Sequence, residues 1–200
     1  MPFNVNDIRQ QFTAGGARPN LFEISMPFPT AAGAEAGAAA SKLTFMAHGA
    51  QIPGAAIGTI DVPYFGRQIK MPGNRTFAEW SPTIYNDEDF AIHNSLNTWM
   101  NSINSHVSNV RSPAAISTTS YCTNADVIHY SKAGDVIKRV TLINVWPSDV
   151  APIDLDWGTS DQLEEFTATF QYDYWVSSSV ETVAGVSEFV VGDSGTSSGT

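Results

Sequence analysis

A single cysteine, Cys122, in a chain of 200 residues leaves no partner for an intramolecular disulfide and no set of thiolates for a metal. Folding in a reducing compartment is the expectation. Charge is also scarce. Asp, Glu, Lys and Arg make up 15% of the residues, and 20 acids against 10 bases give a formal net charge of −10. No stretch gathers Lys and Arg into the cluster that a grip on nucleic-acid phosphates requires, which argues against tight nucleic-acid binding. Long apolar runs are missing as well. Nowhere do about 18 consecutive apolar residues occur, so no helical membrane span is expected. The opening MPFNVNDIRQQF has no basic stretch followed by an apolar run, and the expectation is a soluble chain without a secretion signal of its own. No repeat of about 20–50 residues is visible.

What is present suits one domain. Hydrophobic residues at 42% are enough to bury a core. The abundance of Ser, Thr, Asn, Gly and Ala beside so little charge fits a surface largely covered by other protein, a hint of assembly.

Local patterns place the elements. A capped helical turn is expected over Asp7 to Phe12, closed by Gly15-Gly16. Phe22, Ile24 and Met26 alternate with Glu23 and Ser25 as a strand does. Thr30 to Ser41, rich in Ala and Gly, reads as a flexible loop leading to a partner strand over Leu43 to Ala47. Gln51 to Gly58 has the Pro and Gly punctuation of an irregular connection, and Ile60 to Phe65 reads as an extended segment with Pro63 at an edge or end. Pro72-Gly73 predicts a turn over Met71 to Asn74 that folds Arg67–Lys70 back on Thr76–Ile84 as a hairpin. Ile92, Leu96, Trp99 and Ile103 then fall on one stripe of a helix, capped by Asn86 or Asp87, with Glu88 and Asp89 in its first turn. The pattern fades before Ser112-Pro113.

Ala125–Tyr130 and Val136–Trp146 form a second expected hairpin around Ser131–Asp135, after which Trp146 to Val150 turns the chain away. Phe166, Ala168, Phe170, Tyr172 and Tyr174 alternate with polar residues in the clearest strand. The last 25 residues are Ser, Thr and Gly-rich and read as a tail, with Glu188–Val191 able to add an edge strand.

The chemistry-bearing residues form no catalytic set. Asp154 to Glu165 resembles a calcium loop in its acid spacing, but position six is Thr159 where an EF-hand needs glycine, and a polar turn is the better reading. His48, His93, His106 and His129 are scattered, without an HExxH or a close pair. Cys122 has no base beside it and reads as a buried apolar thiol. Gly54, Gly58, Gly66 and Gly73 make no phosphate-binding fingerprint. Trp80, Trp99, Trp146, Trp157 and Trp175 lie on or beside apolar patterns, which favours burial in the core or a subunit interface over a sugar or base platform. Neither an enzyme activity nor a cofactor is expected.

A series of motifs in order carries a resemblance: Arg18-Pro-Asn-Leu-Phe22, Gly66-Arg67, Gly73-Asn-Arg-Thr-Phe77, Trp80, Asn86-Asp-Glu88, Val145-Trp-Pro-Ser-Asp-Val150, Leu155-Asp-Trp157, and Phe166 with Asp173-Tyr-Trp175. Over about Phe3 to Trp175 the chain resembles the tail tube protein of T-even-like contractile-tailed bacteriophages. The resemblance implies a mainly β, α+β fold: an antiparallel sandwich or barrel-like core with one flanking helix, assembling into hexameric rings. Residues 1–175 would be the tube domain, with an N-terminal arm over 1–18 and an Ala/Gly-rich loop over 30–41, and 176–200 an extension. The last two segments look longer than the family pattern.

The implied role is a structural virion subunit of stacked rings inside a contractile sheath, with a lumen that conducts DNA. The implied partners are further copies of itself, the sheath protein, the baseplate tube initiator and the tail terminator, with DNA passing unbound and no membrane insertion. The virion tail is the implied location, after assembly in the bacterial host cytoplasm. Arg67, Lys70, Arg75, Asp87, Glu88 and Asp89 become candidate subunit contacts, and Ile52, Pro53 and Ile57, in the connection between Ala47 and Val62, candidate ring-to-ring contacts. The net charge suggests a net-negative lumen that does not retard DNA. The competing readings are a baseplate tube initiator, the tube of a phage-derived injection particle, and, from another class, a small β-sandwich hydrolase or carbohydrate-binding module.

Overall fold

Residues 5–12 and 15–177 are described by a computed structural model of the chain. Residues 178–200 of the expected extension, with its Glu188–Val191 strand, lie outside the described residues, and its first two, Val176 and Ser177, belong to the sheet instead, paired with Thr141 and Val140. Where alternation or helical spacing was regular in the sequence, the elements follow it. Helix α1 spans Val5–Gln11 and strand β1 spans Phe22–Ser25, with Ile24 and the following Met26 buried. Helix α3 spans Ala91–Ile103 and buries Ile92, Leu96 and Trp99. Strands β6 (Thr123–Tyr130) and β7 (Val136–Val150) form the expected hairpin.

Thr30 to Ser41 is not a loop. A short 3-10 turn at Thr30–Ala32 is followed by helix α2, Ala36–Met46, so Leu43–Met46 is helical as well and only Ala47–Gly49 forms strand β2. Alanine has the highest intrinsic helix propensity, and burial of Ala36, Ala39 and Leu43 at spacings of three and four supplies the tertiary packing that outweighs the cost of Gly37. Gly33, at φ 99°, lets this segment approach α3, since a Cβ there would stand 3.2 Å from Cγ2 of Thr98. Two helices therefore flank the sheet, besides the four-residue helix α4 at Thr118–Tyr121.

The main sheet is antiparallel and curls into a half-barrel. Strand β5 is Thr83–Tyr85, β8 is Glu165–Gln171 and β9 is Tyr174–Ser177, and the sheet runs β1-β6-β7-β8-β5-β2 with β9 also on β7. β7 does not stop at Trp146. It pairs with β6 over its first part and with β8 over Trp146 to Val150, changing partner around Asn144, which sits at φ 59°. β8 and β9 continue one another along β7: Trp146 faces Gln171 and Ile143 faces Tyr174, with only Tyr172 and Asp173 out of line. The strand expected over Phe166 to Tyr174 is thus one line with a break. Phe166, Ala168 and Phe170 point into the core with Trp80, Ile84, Leu142 and Val145. Trp99 joins them from α3, its ring 6.5 Å from Phe170 and 5.7 Å from Phe28, its indole N–H donating to the Tyr121 carbonyl at 2.7 Å.

Candidate assembly surface

Two strands stand apart from the main sheet. β3 (Ala55–Tyr64) and β4 (Arg67–Phe77) pair only with each other, and every residue of β3 is exposed. The turn is at Phe65-Gly66, not at Pro72-Gly73. Both residues have positive φ, 42° and 80°, the geometry of a two-residue type I′ hairpin turn. Pro72 stays in the ladder opposite Thr59, and Gly73-Asn74 forms a β-bulge. Ile57 and Thr59 flank one residue of β3, while their partners Arg75 and Pro72 flank two residues of β4, Gly73 and Asn74. A side chain at Gly73 would crowd the bulge, since its Cβ would come 3.1 Å from the Gly58 carbonyl oxygen and push that backbone aside by a few tenths of an ångström.

The register makes the outer half of this hairpin two-faced. Ile60 faces Met71, Val62 faces Ile69 and Tyr64 faces Arg67, all on one side. The opposite side carries Thr59 with Pro72, Asp61 with Lys70, and Pro63 with Gln68. Lys70 Nζ donates to Asp61 at 3.1 Å, so this candidate contact residue is already paired within the chain. Among the described residues neither Arg67 nor Arg75 has a carboxylate within ion-pairing distance. Ile60, Val62, Tyr64, Ile69 and Met71 are all exposed, and Phe65 at the tip is 92% exposed. An isolated two-stranded hairpin is marginal in water, and an uncovered apolar face on one calls for a covering surface.

The remaining expected contact residues lie elsewhere. Ile57 is exposed opposite Arg75, on the hairpin side away from Ile60, and Ile52 is exposed just before β3 while Pro53 is buried. Only residues 50–54 of the expected irregular connection lack strand structure. Asp87 to Asp89 precede α3 rather than occupying its first turn: Phe90, at φ 50°, is the N-cap residue. The Asp89 carboxylate accepts the Ala91 N–H at 3.0 Å and Asp87 that of Glu88 at 2.9 Å. Lys42 of α2 binds both Asp87, at 2.8 Å, and Asp89. Those hydrogen bonds hold the Asp89 carboxyl below the usual carboxylate range and raise the Lys42 ammonium above its ordinary value. The cluster therefore ties α2 to the loop before α3.

Sequence reasoning missed the tip, Tyr64-Phe65-Gly66, although apolar residues at 60, 62, 64, 69 and 71 around an X-Gly pair were the available signal. The five tryptophans divide between the two expected settings, core and surface. Trp80 and Trp99 are buried, and Trp146 and Trp175 pack against the core, but Trp157 is fully exposed on the loop between β7 and β8. Leu155 and Leu163 of that loop are exposed too. Asp156 turns the loop, accepting the Gly158 N–H at 3.0 Å. Among the described residues no three His, Cys, Asp or Glu side chains gather as a metal site would need. His48 reaches Glu165 at 2.6 Å and lies against the Tyr85 ring, a link between β2 and the start of β8. Cys122 is half-buried, and burial, with the Asp173 charge, pushes its thiol up.

Residues 17–178 match the phage tail tube protein family. The chain is 27% identical to "Tail tube protein gp19" of Enterobacteria phage T4 over 175 residues, 86% of this chain and 98% of that protein. It is 29% identical to the "Tail tube protein" of Serratia phage KSP90 over 172 residues, 84% and 93% of the two chains. Its fold is shared with a chain of the PVC sheath–tube complex of an extracellular contractile injection system in the extended state, at TM-score 0.54 and 16% identity over 86% of this chain and 97% of that one. A chain of the anti-feeding prophage baseplate gives TM-score 0.56 at 11% identity, over 82% and 97% of the two.

Proposed function

Because the chain belongs to the phage tail tube protein family, we propose that it is the repeating subunit of a contractile-tail tube, closing laterally into six-membered rings that stack inside a sheath. The observation that carries this is the exposed, two-faced hairpin on a chain that matches the family over most of its length. A ring needs two unlike lateral surfaces and a stack two unlike axial ones, because heterologous contacts propagate until they close or continue without limit. A hairpin that projects from one side of a subunit is such an unlike surface. Arg67 and Arg75, with exposed Ile52 and Ile57, are the contact residues, and Lys70 keeps its neutralising partner Asp61 on the polar side. The sheath, a baseplate initiator and a tail terminator are the further partners, and the virion tail is the destination. The role is structural rather than enzymatic.

The tube wall conducts DNA without holding it. A net charge of −10 per subunit gives the lumen a net-negative wall once the free cations are spent on subunit contacts, so phosphates are repelled rather than bound. A clearly basic lumen in the assembled tube overturns this charge assignment.

The test is sedimentation and negative-stain microscopy of the purified full chain. Long hollow tubes of uniform width are the expected product. Only single, non-stacking rings would assign the chain to a terminal position such as an initiator, and a protein that stays monomeric up to high concentration would refute self-assembly.

A further inference from the structure

The groove along the loop between β7 and β8 carries the acidic charge that the hairpin tip lacks. It is an open concavity of ≈ 650 Å³ whose lining includes Leu155, Trp157 and Leu163 together with Asp154, Asp156 and Glu164. The tip offers the converse: Tyr64 and Phe65, rings in an edge-on contact at 4.7 Å, beside the unpaired cation of Arg67. Trp157 and Phe65 are each almost wholly exposed, so in a single chain neither covers the other. The identity of residue 65 is itself unexplained by the turn. A type I′ turn prefers Asn before Gly, and a bulky side chain at positive φ carries backbone strain, against which the described chain sets only the ring contact with Tyr64.

We infer that the hairpin tip of one copy, Tyr64, Phe65 and Arg67, docks in the Leu155–Trp157–Leu163 groove of a second copy. The aromatic rings fill the apolar part of the groove, where buried aromatic and Arg anchors concentrate interface energy. Arg67 meets the carboxylates at its edge, with Asp154 free for this role because the loop's own turn uses Asp156. Tip and groove are made of different residues, so a one-way contact between them is heterologous and leaves each bound copy with a free tip. The inference deepens the tube reading and rests on it.

Phe65→Asn separates folding from docking, since Asn-Gly is the favoured pair for this turn. The variant is expected to melt at or above the wild-type temperature while the concentration needed for sedimentable polymer rises about tenfold or more. Arg67→Glu and Asp154→Arg, each in the full chain, are expected to impair polymerisation similarly, and the two together to restore it. Tubes that form from Phe65→Asn as readily as from the wild type, or charge reversals that do not compensate one another, overturn the docking and leave the tube reading standing. A wild-type protein that forms no polymer under any condition overturns both.

Discussion

Trp99 is the side chain through which α3 is held on the sheet, and its removal gives the most quantitative test of the fold. It is fully buried, touches the Phe28 and Phe170 rings, and satisfies the Tyr121 carbonyl at the end of α4. Trp99→Ala removes the whole ring from a packed core, which costs about 3–5 kcal/mol. Trp99→Phe keeps a ring but leaves the Tyr121 carbonyl without its donor, a loss of about 1–3 kcal/mol. A domain of this size shifts roughly 2–4 °C per kcal/mol, so Trp99→Ala should melt about 6–20 °C lower and Trp99→Phe about 2–12 °C lower. Urea titration followed by far-UV circular dichroism, at concentrations below the onset of sedimentable polymer, gives the free energies directly. Because whole folded domains are stable by only about 5–15 kcal/mol, the alanine variant sits near the threshold of folding. A loss below about 1 kcal/mol for Trp99→Ala would refute the placement of this ring in the shared core.

The Lys42–Asp87–Asp89 tie predicts a pH dependence. Asp89 has its carboxyl pKa lowered on folding, so the stability it contributes is present above the ordinary carboxylate range and is lost as pH falls through that range and below it. Melting temperature should fall more steeply in acid for the wild type than for Lys42→Met, and parallel curves would remove the tie from the account. At the hairpin turn, Gly66→Val places a β-branched residue at φ 80° in open space, so strain alone acts. Its expected effect is a loss of tube formation with little change in core melting, and unchanged assembly would argue against a structured tip in the interface. Arg75→Glu, opposite exposed Ile57 on the hairpin, should reduce tube length in negative-stain images, whereas tubes of normal length would release Arg75 from any contact role.

Periodicity made legible what the core decides. The stripe from Ile92 to Trp99, the alternation from Phe166 to Phe170 and the pair of runs around Ser131–Asp135 each place apolar residues at the spacing of one face, and that face is buried. What failed depended on information that spacing does not carry. Ala36, Ala39 and Leu43 look like low complexity until a sheet and α3 stand beside them to bury the helix. Pro72-Gly73 has the composition of a turn, but strand pairing across Gly58 accommodates the extra residue as a bulge and moves the reversal to Phe65-Gly66. Trp146-Pro147 resembles a breaker, yet β7 passes through it by exchanging β6 for β8 as its partner.

The proposed contact residues were the least legible, because an interface between copies would show no pattern within one copy except unsatisfied exposure. Arg67 and Arg75 were identifiable as scarce cations on a strand. Tyr64, Phe65 and Trp157 stand out only once the structure shows that the chain leaves them uncovered.

The central claim is that copies of this chain stack as rings into a tube, and helical reconstruction of the purified polymer by electron cryo-microscopy tests it most directly. The account predicts six subunits per ring, a continuous lumen, and the β3–β4 hairpin of each subunit covered by a neighbouring copy. A polymer without ring symmetry or lumen, or hairpins left projecting into solvent, would contradict it.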